Sequence, residues 1–364
     1  MPQKIRVGVI GANAHLGWAQ RSHLPALAAS PDCELAAVCT TRPESAEESR
    51  LKYGAGLAFH DYREMVASPA IDLVAVVVRV PNHFEPTKAA LEAGKHVYTE
   101  WPLGRTTAEA VELAALARTK GLRTVVGLQA RVNPGLVYMK ELIANGYVGE
   151  VLACHVSMLR EGQLQRPSSR MWQRDPTQGV HTLTIAAAHT LDALRFVTTG
   201  YSQLTSLVTT LVRQWLDTDT GEMVDVSAPD NVQVNARLSN GAVVCAQIAS
   251  VPWAASGYRM EIYGREGTLV ATSDESPQLA EVQLQGARSG HRLQPMDIPS
   301  RLVLVPDNMP RGSPFVVGQM YHQVAQALHT GHDSHPTFET AVELHRIVDA
   351  IRLSSDSGRE VAIQ

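Results

Sequence analysis

Aromatic residues are scarce in this chain. Phe, Trp and Tyr together make up 5% of its 364 residues, against 45% hydrophobic overall, so its cores must be aliphatic, as in α/β folds. Cysteine is equally sparse. Cys33, Cys39, Cys154 and Cys245 are widely separated and never in CxxC spacing, which excludes the common metal and dithiol motifs and implies no metal site. They are expected to be reduced, partly buried thiols of a cytoplasmic protein. Neither sign of charge dominates: 32 basic and 36 acidic residues give a net charge of −4. That leaves no basic stripe for direct nucleic-acid binding and no polybasic segment for a membrane surface. No apolar run reaches the roughly 20 residues of a membrane span. No charged leader with an apolar stretch precedes the strand expected at Ile5, so no secretory signal is expected. Repeats and low-complexity segments are lacking too, and the length suits two domains.

What is present alternates strand and helix in the first third. Ile5 to Ile10 is an apolar strand ending at Gly11, and a helix is expected from near Gly17. The turn between them, Gly-Ala-Asn-Ala-His-Leu-Gly-Trp, departs from the GxGxxG pattern, with Asn13 at the second glycine position and Gly17 one residue late. The order still suits a dinucleotide pyrophosphate, which needs a turn without side-chain bulk and amides at a helix start. A plain βα turn is the alternative. Strand Glu34 to Cys39 is followed by Thr40, Thr41, Arg42 and Ser45. An NAD-selective site would have a carboxylate there, whereas Arg42 and these hydroxyls would bind a 2′-phosphate, unless Arg42 is merely solvated at a helix start. Asp72 to Val80 is almost wholly aliphatic, hence buried on both faces. It runs into Pro81, Asn82 and His83. Lys95 to Thr99 is a further strand, with Glu100 and Trp101 at its carboxyl end before Pro102. Thr106 and Glu109 have capping-box spacing, and Thr124 to Gly127 is the last strand of this half.

Beyond Leu128 the pattern changes. Val151 to Leu159 and a series of short strands from Gln203 include a hairpin about Asn240-Gly241. Between them Gly179 to Phe196 is helical in period and carries His181, His189 and Asp192. The expected fold class is α/β: a doubly wound Rossmann domain over residues 1–128, then an α+β domain over 129–364 with a large, mostly antiparallel open sheet.

The segments VGVIGAN, DLVAVVVRVPN, ALEAGKHVYTEWPL, ELIANGYVGEV, HTLDAL, IYGREGTLV and PTFETAVELHRIVDAIRLSSDSG, in this order, resemble the Gfo/Idh/MocA family of nicotinamide-dependent sugar and polyol oxidoreductases. The likeness is greatest to the branch containing the fungal galactose-pathway repressor. It implies NADP or NAD as cofactor, with contacts from Gly11, Asn13, His15, Thr41, Arg42, Val80, Asn82, Glu100 and Trp101. It also implies a homodimer or homotetramer through the C-terminal sheet. The family's Glu-Lys-Pro is Glu100, Trp101, Pro102 here, and the Asp and Gly that precede the family histidine are Ile185 and Ala187. His189 then stands first as acid or base, its ordinary pKa near 6.5 suiting the task. Otherwise it is a helix histidine bonded to a neighbour such as Asp192. Trp101, His189 and Asp192 are the expected contacts to a sugar-like small molecule, with His181 and Tyr258 as fallback proton donors. Three readings stand: an NADP-favouring oxidoreductase of a sugar, polyol or related carbonyl compound, a catalytically silent dinucleotide-binding sensor or regulator, and a net non-redox enzyme. The retained His189 favours the first.

Overall fold

The apolar segments of the first third are short and buried on both faces, the condition for a parallel sheet covered by helices. In a computed structural model describing residues 3–333 and 335–363, the chain divides into two units: Met1–Val132 with Val303–Glu343, and Asn133–Leu302 with Leu344–Gln364.

The first unit contains β1 (Ile5–Ile10), β2 (Cys33–Cys39), β3 (Leu57–Phe59), β4 (Leu73–Val76), β5 (His96–Glu100) and β6 (Thr124–Gly127). They form one parallel sheet in the order β3-β2-β1-β4-β5-β6. Ile10 pairs with Cys39 on one side and Val76 on the other, so these three strands end level. The helices are α1 (Gly17–Arg21), α2 (His23–Ala29), α3 (Pro43–Tyr53), α4 (Tyr62–Ala67), α5 (Phe84–Glu92) and α6 (Thr107–Lys120). Thr106 Oγ1 caps α6 by accepting from the Glu109 amide at 3.2 Å, but the Glu109 carboxylate turns to the Arg105 amide, so only half of the expected box forms. The aliphatic run from Asp72 stops being a strand at Val76. Past it, Pro81 has no amide to donate, and the chain enters a 3₁₀ turn, Val80–Asn82.

The expected contiguous second domain, 129–364, differs from the observed division. Helix Ser313–Thr330 belongs to the first unit, where Val316, Val317, Met320, Tyr321 and Val324 join Leu24 and Leu27 of α2 in one core. The apolar stripe of α2 needs this cover, and only a distant segment supplies it.

The second unit opens with α7 (Pro134–Ala144) and carries α8 (Ala188–Val197). Its strands are β7 (Val151–Arg160), β8 (Gln165–Arg166), β9 (Tyr201–Thr209), β10 (Gln214–Asp217), β11 (Met223–Asp225), β12 (Asn231–Leu238), β13 (Val243–Ser250), β14 (Gly257–Gly264), β15 (Gly267–Ser273), β16 (Gln283–Arg288), β17 (Gln294–Met296) and β18 (Val361–Ala362). Nine of them form the sheet β17-β16-β15-β14-β7-β13-β12-β9-β18, antiparallel except for the β7–β13 pair. β8, β10 and β11 make a separate small sheet. Burial alternates along β12 and β13, so one face of the large sheet is open, as the period-two pattern requires. Among the described residues no helix is long and apolar enough to cross a membrane.

Four buried histidines and the half-buried His96 tie this packing to pH. Burial pushes His181 and His345 down to about 4, and it also lowers His83, His96 and His335. The folded chain therefore favours neutral rings. Below the ordinary value of 6.5 the unfolded chain takes up protons that the folded chain refuses, so stability falls with pH and the loss saturates near 4. Each of the two largest shifts is worth on the order of 3 kcal/mol. The thermal midpoint is expected to drop from pH 6.5 to 4, with a shallower slope in His345→Gln. A midpoint that stays flat through this range would contradict the assignment.

Candidate functional site

The strand order 3-2-1-4-5-6 places its switch point between β1 and β4, where an open parallel sheet has a crevice at the strands' carboxyl ends. A cavity of about 410 Å³ lies there, lined among others by Gly11, Asn13, Thr41, Val78 and Asn82. Gly11 has φ +89°, and a Cβ on it would sit 2.2 Å from the Val77 carbonyl oxygen, so no other residue fits. Asn13 shapes the turn from its side chain, Oδ1 accepting from the amides of His15 and Leu16 at 2.9 and 3.0 Å. Lys52 Nζ donates to the Ala14 carbonyl at 2.6 Å. The amides of Gly11 and Ala12 bond Cys39 and that of Asn13 bonds Gly11. The turn is thus rigid without a ligand, and the donors left for an anion are those of the first turn of α1.

The remaining expected contacts divide. Thr41 and Asn82 line the cavity. Arg42 is exposed beside it, where its carbonyl accepts from the Thr40 and Ser45 hydroxyls and, among the described residues, its guanidinium has no partner. His15 is exposed and holds Glu48 at 2.6 Å, outside the lining. Val80 is buried at the base of the 3₁₀ turn. His60, Tyr62 and Glu85 also line the cavity and were missed. β3 is too short to register as a strand, so the residues after it carried no signal.

Glu100, expected at the strand's carboxyl end as a cofactor contact, is turned into the unit. It is 9% exposed, and its oxygens are engaged within the unit. His23 Nε2 lies 2.8 Å from Oε1, and Gln129 Nε2 donates to both oxygens at 2.9 Å. His23 Nδ1 continues to the Tyr321 hydroxyl at 2.8 Å, and the rings of His23, Tyr98 and Tyr321 pack at centroid distances of 5.0–5.6 Å. Burial pushes the Glu100 carboxyl up, but the hydrogen bond and charge of His23, with the Gln129 amide, outweigh it and hold the group below the usual carboxylate range. Room for the carboxylate comes from its β6 neighbour: a Cβ on Gly127 would stand 2.3 Å from Oε2. The other end of the turn is held by His83, whose ring nitrogens lie 2.7 Å from the Pro102 oxygen and 3.0 Å from that of Val78. Between these anchors sits Trp101, 5% exposed and joined to Pro102 by a cis peptide.

In the second unit the chain before α8 is wound as a π-helix, Leu183–Ala187, with the Ala187 amide bonding Thr182 at 2.8 Å. Such wide turns concentrate at functional sites. His189 follows on α8, 7% exposed. Asp192 is fully buried and bonded to Arg195 Nη2 at 3.1 Å, so it is not presented to a ligand as expected. His181 is 8% exposed with neither ring nitrogen hydrogen-bonded, and the buried Tyr258 and Ser273 hydroxyls, on paired strand positions, also have no partner among the described residues. Buried polar groups are nearly always bonded, so these three are candidate donors to a ligand, as are other unsatisfied groups of the unit such as Trp215 Nε1. Among the described residues no three His, Cys, Asp or Glu side chains group as a metal site.

Residues 5–128 match the oxidoreductase family with an NAD-binding Rossmann fold, and residues 134–273 match the Gal80p C-terminal domain. Dehydrogenase aclE of Aspergillus oryzae is 30% identical over 284 residues, spanning 74% of this chain and 77% of its own. The chain belongs to the Gfo/Idh/MocA oxidoreductase family. Levoglucosan dehydrogenase of Pseudarthrobacter phenanthrenivorans is 26% identical over 316 residues, 80% of each chain. The solved structure of an NAD binding oxidoreductase from Klebsiella pneumoniae superposes with a TM-score of 0.87 at 26% identity over the whole of both chains. In this member of the Gfo/Idh/MocA family the middle residue of the anchored strand-end turn is Trp101.

The buried carboxylate can be tested directly. Gly127→Ala is expected to cost about 2–4 kcal/mol in urea unfolding, combining overpacking with loss of hydrogen bonds to a charged group. In the Glu100→Ala background the same change should be nearly neutral. Equal costs in both backgrounds would show that the two side chains do not compete for space.

Proposed function

We propose that this protein is a nicotinamide-dinucleotide-dependent oxidoreductase of the CH–OH group of a sugar, polyol or related carbonyl compound, with NADP the favoured cofactor. The single observation that carries the reading is the cavity at the β1–β4 switch point, bounded by the obligatory Gly11. When bound, the dinucleotide supplies the hydride acceptor or donor. Thr41 and Asn82 would hold it from the cavity wall, and the first-turn amides of α1 would face its pyrophosphate. Arg42, exposed at the end of β2 where no carboxylate stands, supports recognition of a 2′-phosphate.

The substrate hydroxyl needs a base, because an alcohol yields hydride readily only as its proton leaves. Trp101 offers an indole N–H and apolar area but no acid–base chemistry. His181, pushed to about 4 by burial and the field of Arg352, is too weak a base for work near neutrality. Burial raises the Tyr258 phenol, which stays a donor. His189 remains the base of choice, with Tyr258 and His181 orienting the sugar-like substrate.

The open sheet face supports a homodimer or homotetramer: the exposed Leu207, Val243 and Tyr263 lie on it among polar residues. A cytoplasmic location fits the four free cysteines, three of them buried with thiols pushed up to about 12. The match of residues 134–273 to the Gal80p C-terminal domain favours a second reading, a catalytically silent dinucleotide-binding sensor or transcriptional regulator.

Calorimetry followed by turnover assays separates the two. NADP is expected to bind about ten- to a hundred-fold tighter than NAD, with Arg42→Ala removing the difference. His189→Asn should lower kcat on a responsive sugar or polyol by about 10²–10⁴-fold and leave cofactor affinity unchanged. Wild-type turnover that survives His189→Asn would overturn the base assignment. Tight dinucleotide binding without turnover across a broad panel would favour the regulator.

A further inference from the structure

We propose that a second cavity, within the unit that carries the large sheet, holds the second ring of a disaccharide or glycoside substrate. The proposal rests on the oxidoreductase reading and narrows its substrate from free sugars to glycosides. The cavity, of about 420 Å³, lies beyond the ends of β7 and β13, between residues 161–165 and 252–254, with Leu216 of β10 also in its wall. That volume is within the range of small-molecule sites, roughly 300–1,000 Å³. Main-chain bonds tie its two sides together. The Val251 amide donates to the Arg160 carbonyl at 2.6 Å, the Gln163 amide to that of Val251 at 3.3 Å, and the Leu216 amide to that of Leu164 at 2.9 Å. Gln163 is itself buried, which pins the first segment. The walls are therefore set before a ligand arrives, and binding avoids the cost of ordering a loose loop.

The lining has the chemistry of a sugar receptor. Trp253 is 77% exposed and is the one exposed tryptophan of the five in the chain. It shares the wall with the apolar Leu164, Leu216 and Pro252, and with a carboxylate, Glu161, and a carboxamide, Gln165. Neither polar side chain has a hydrogen bond or ion pair among the described residues. The C–H face of a pyranose, its hydrogens slightly positive, packs on the negative face of an indole. Its rim hydroxyls donate to a carboxylate, and both donate to and accept from a carboxamide. A wholly apolar ligand would strip water from Glu161 and leave it unpaired. An anion would meet that carboxylate as a like charge.

The cavity also adjoins polar groups of the same unit that a reacting ring could use. Ser250, the last residue of β13, has its hydroxyl 3.1 Å from that of Thr182, which follows the unbonded, buried His181. Tyr258 pairs with Met158, two residues before the end of β7. Two residues of extended chain, at most ~7 Å, separate Ser250 from Pro252 at the cavity wall. One glycosidic link bridges that spacing.

The test titrates the full chain, saturated with dinucleotide, with glucose, cellobiose, maltose, lactose and choline, by calorimetry and by iodide quenching of tryptophan fluorescence. At least one disaccharide should bind about ten- to thirty-fold tighter than glucose, the increment expected from covering one ring face, and should shield the iodide-accessible fluorescence. Trp253→Ala should abolish the shielding and bring the disaccharide preference close to one, Trp253→Phe should restore part of the preference, and Glu161→Ala should reduce it. The exposed position of Trp253 predicts an unchanged melting temperature for these variants, and the wild-type shielding decides the matter if one of them does not fold. Equal affinity for one ring and two, a preference that survives Trp253→Ala, or no binding of any disaccharide would overturn the proposal. So would shielding by choline alone, which would make the cavity a cation site. Failure of the oxidoreductase reading would appear separately, as disaccharide binding and shielding without any change in cofactor absorbance.

Discussion

A carboxylate inside an aliphatic sheet is the constraint on which the candidate site depends. Removing such a charge from water costs several kcal/mol unless it is paired and hydrogen-bonded, and Glu100 meets both conditions through His23 and Gln129. Three features follow from that requirement. Gly127 must lack a side chain, α2 must present His23 at β5, and helix Ser313–Thr330 must return to bring Tyr321 to the other ring nitrogen. The result is a strand end that cannot drift. With His83 on Pro102, it fixes Trp101 between two anchored neighbours.

Much of the architecture was legible in the sequence because local chemistry determined it. The run Ile5–Ile10, the capping of α6 by Thr106, and Asn240-Gly241 each follow from residues within one element or turn. The direction of Glu100 was not legible. A strand buried on both faces has no polar alternation to tell inward from outward, and the partners of Glu100 lie 77 and 29 positions away. The same distance effect hid the return of Val303–Glu343 to the first unit, since an amphipathic helix shows that it needs cover but not whose. Arg42 and Asn82 could be located from strand ends alone. The donors Tyr258 and Ser273 pair across a single hairpin, but their lack of partners shows only once the rest of the unit packs around them.

The pattern of what is kept and what is changed bears on function. The anchors around the strand-end turn are structural necessities and would persist in an enzyme or in a silent relative. What distinguishes the two is the chemistry at Trp101 and in the π-wound segment, where Ile185 and Ala187 carry no polar group. His189 stands on α8, and the unsatisfied buried donors of the same unit are costly to keep without a ligand to bond.

The most direct test of the account is the structure of the chain crystallised with oxidised NADP. The account predicts dinucleotide density in the cavity between Gly11 and Asn82, with its pyrophosphate at the start of α1, its 2′-phosphate within hydrogen-bond distance of Arg42, and Glu100 still bonded to His23. Density elsewhere, or an empty cavity at saturating cofactor, would contradict it.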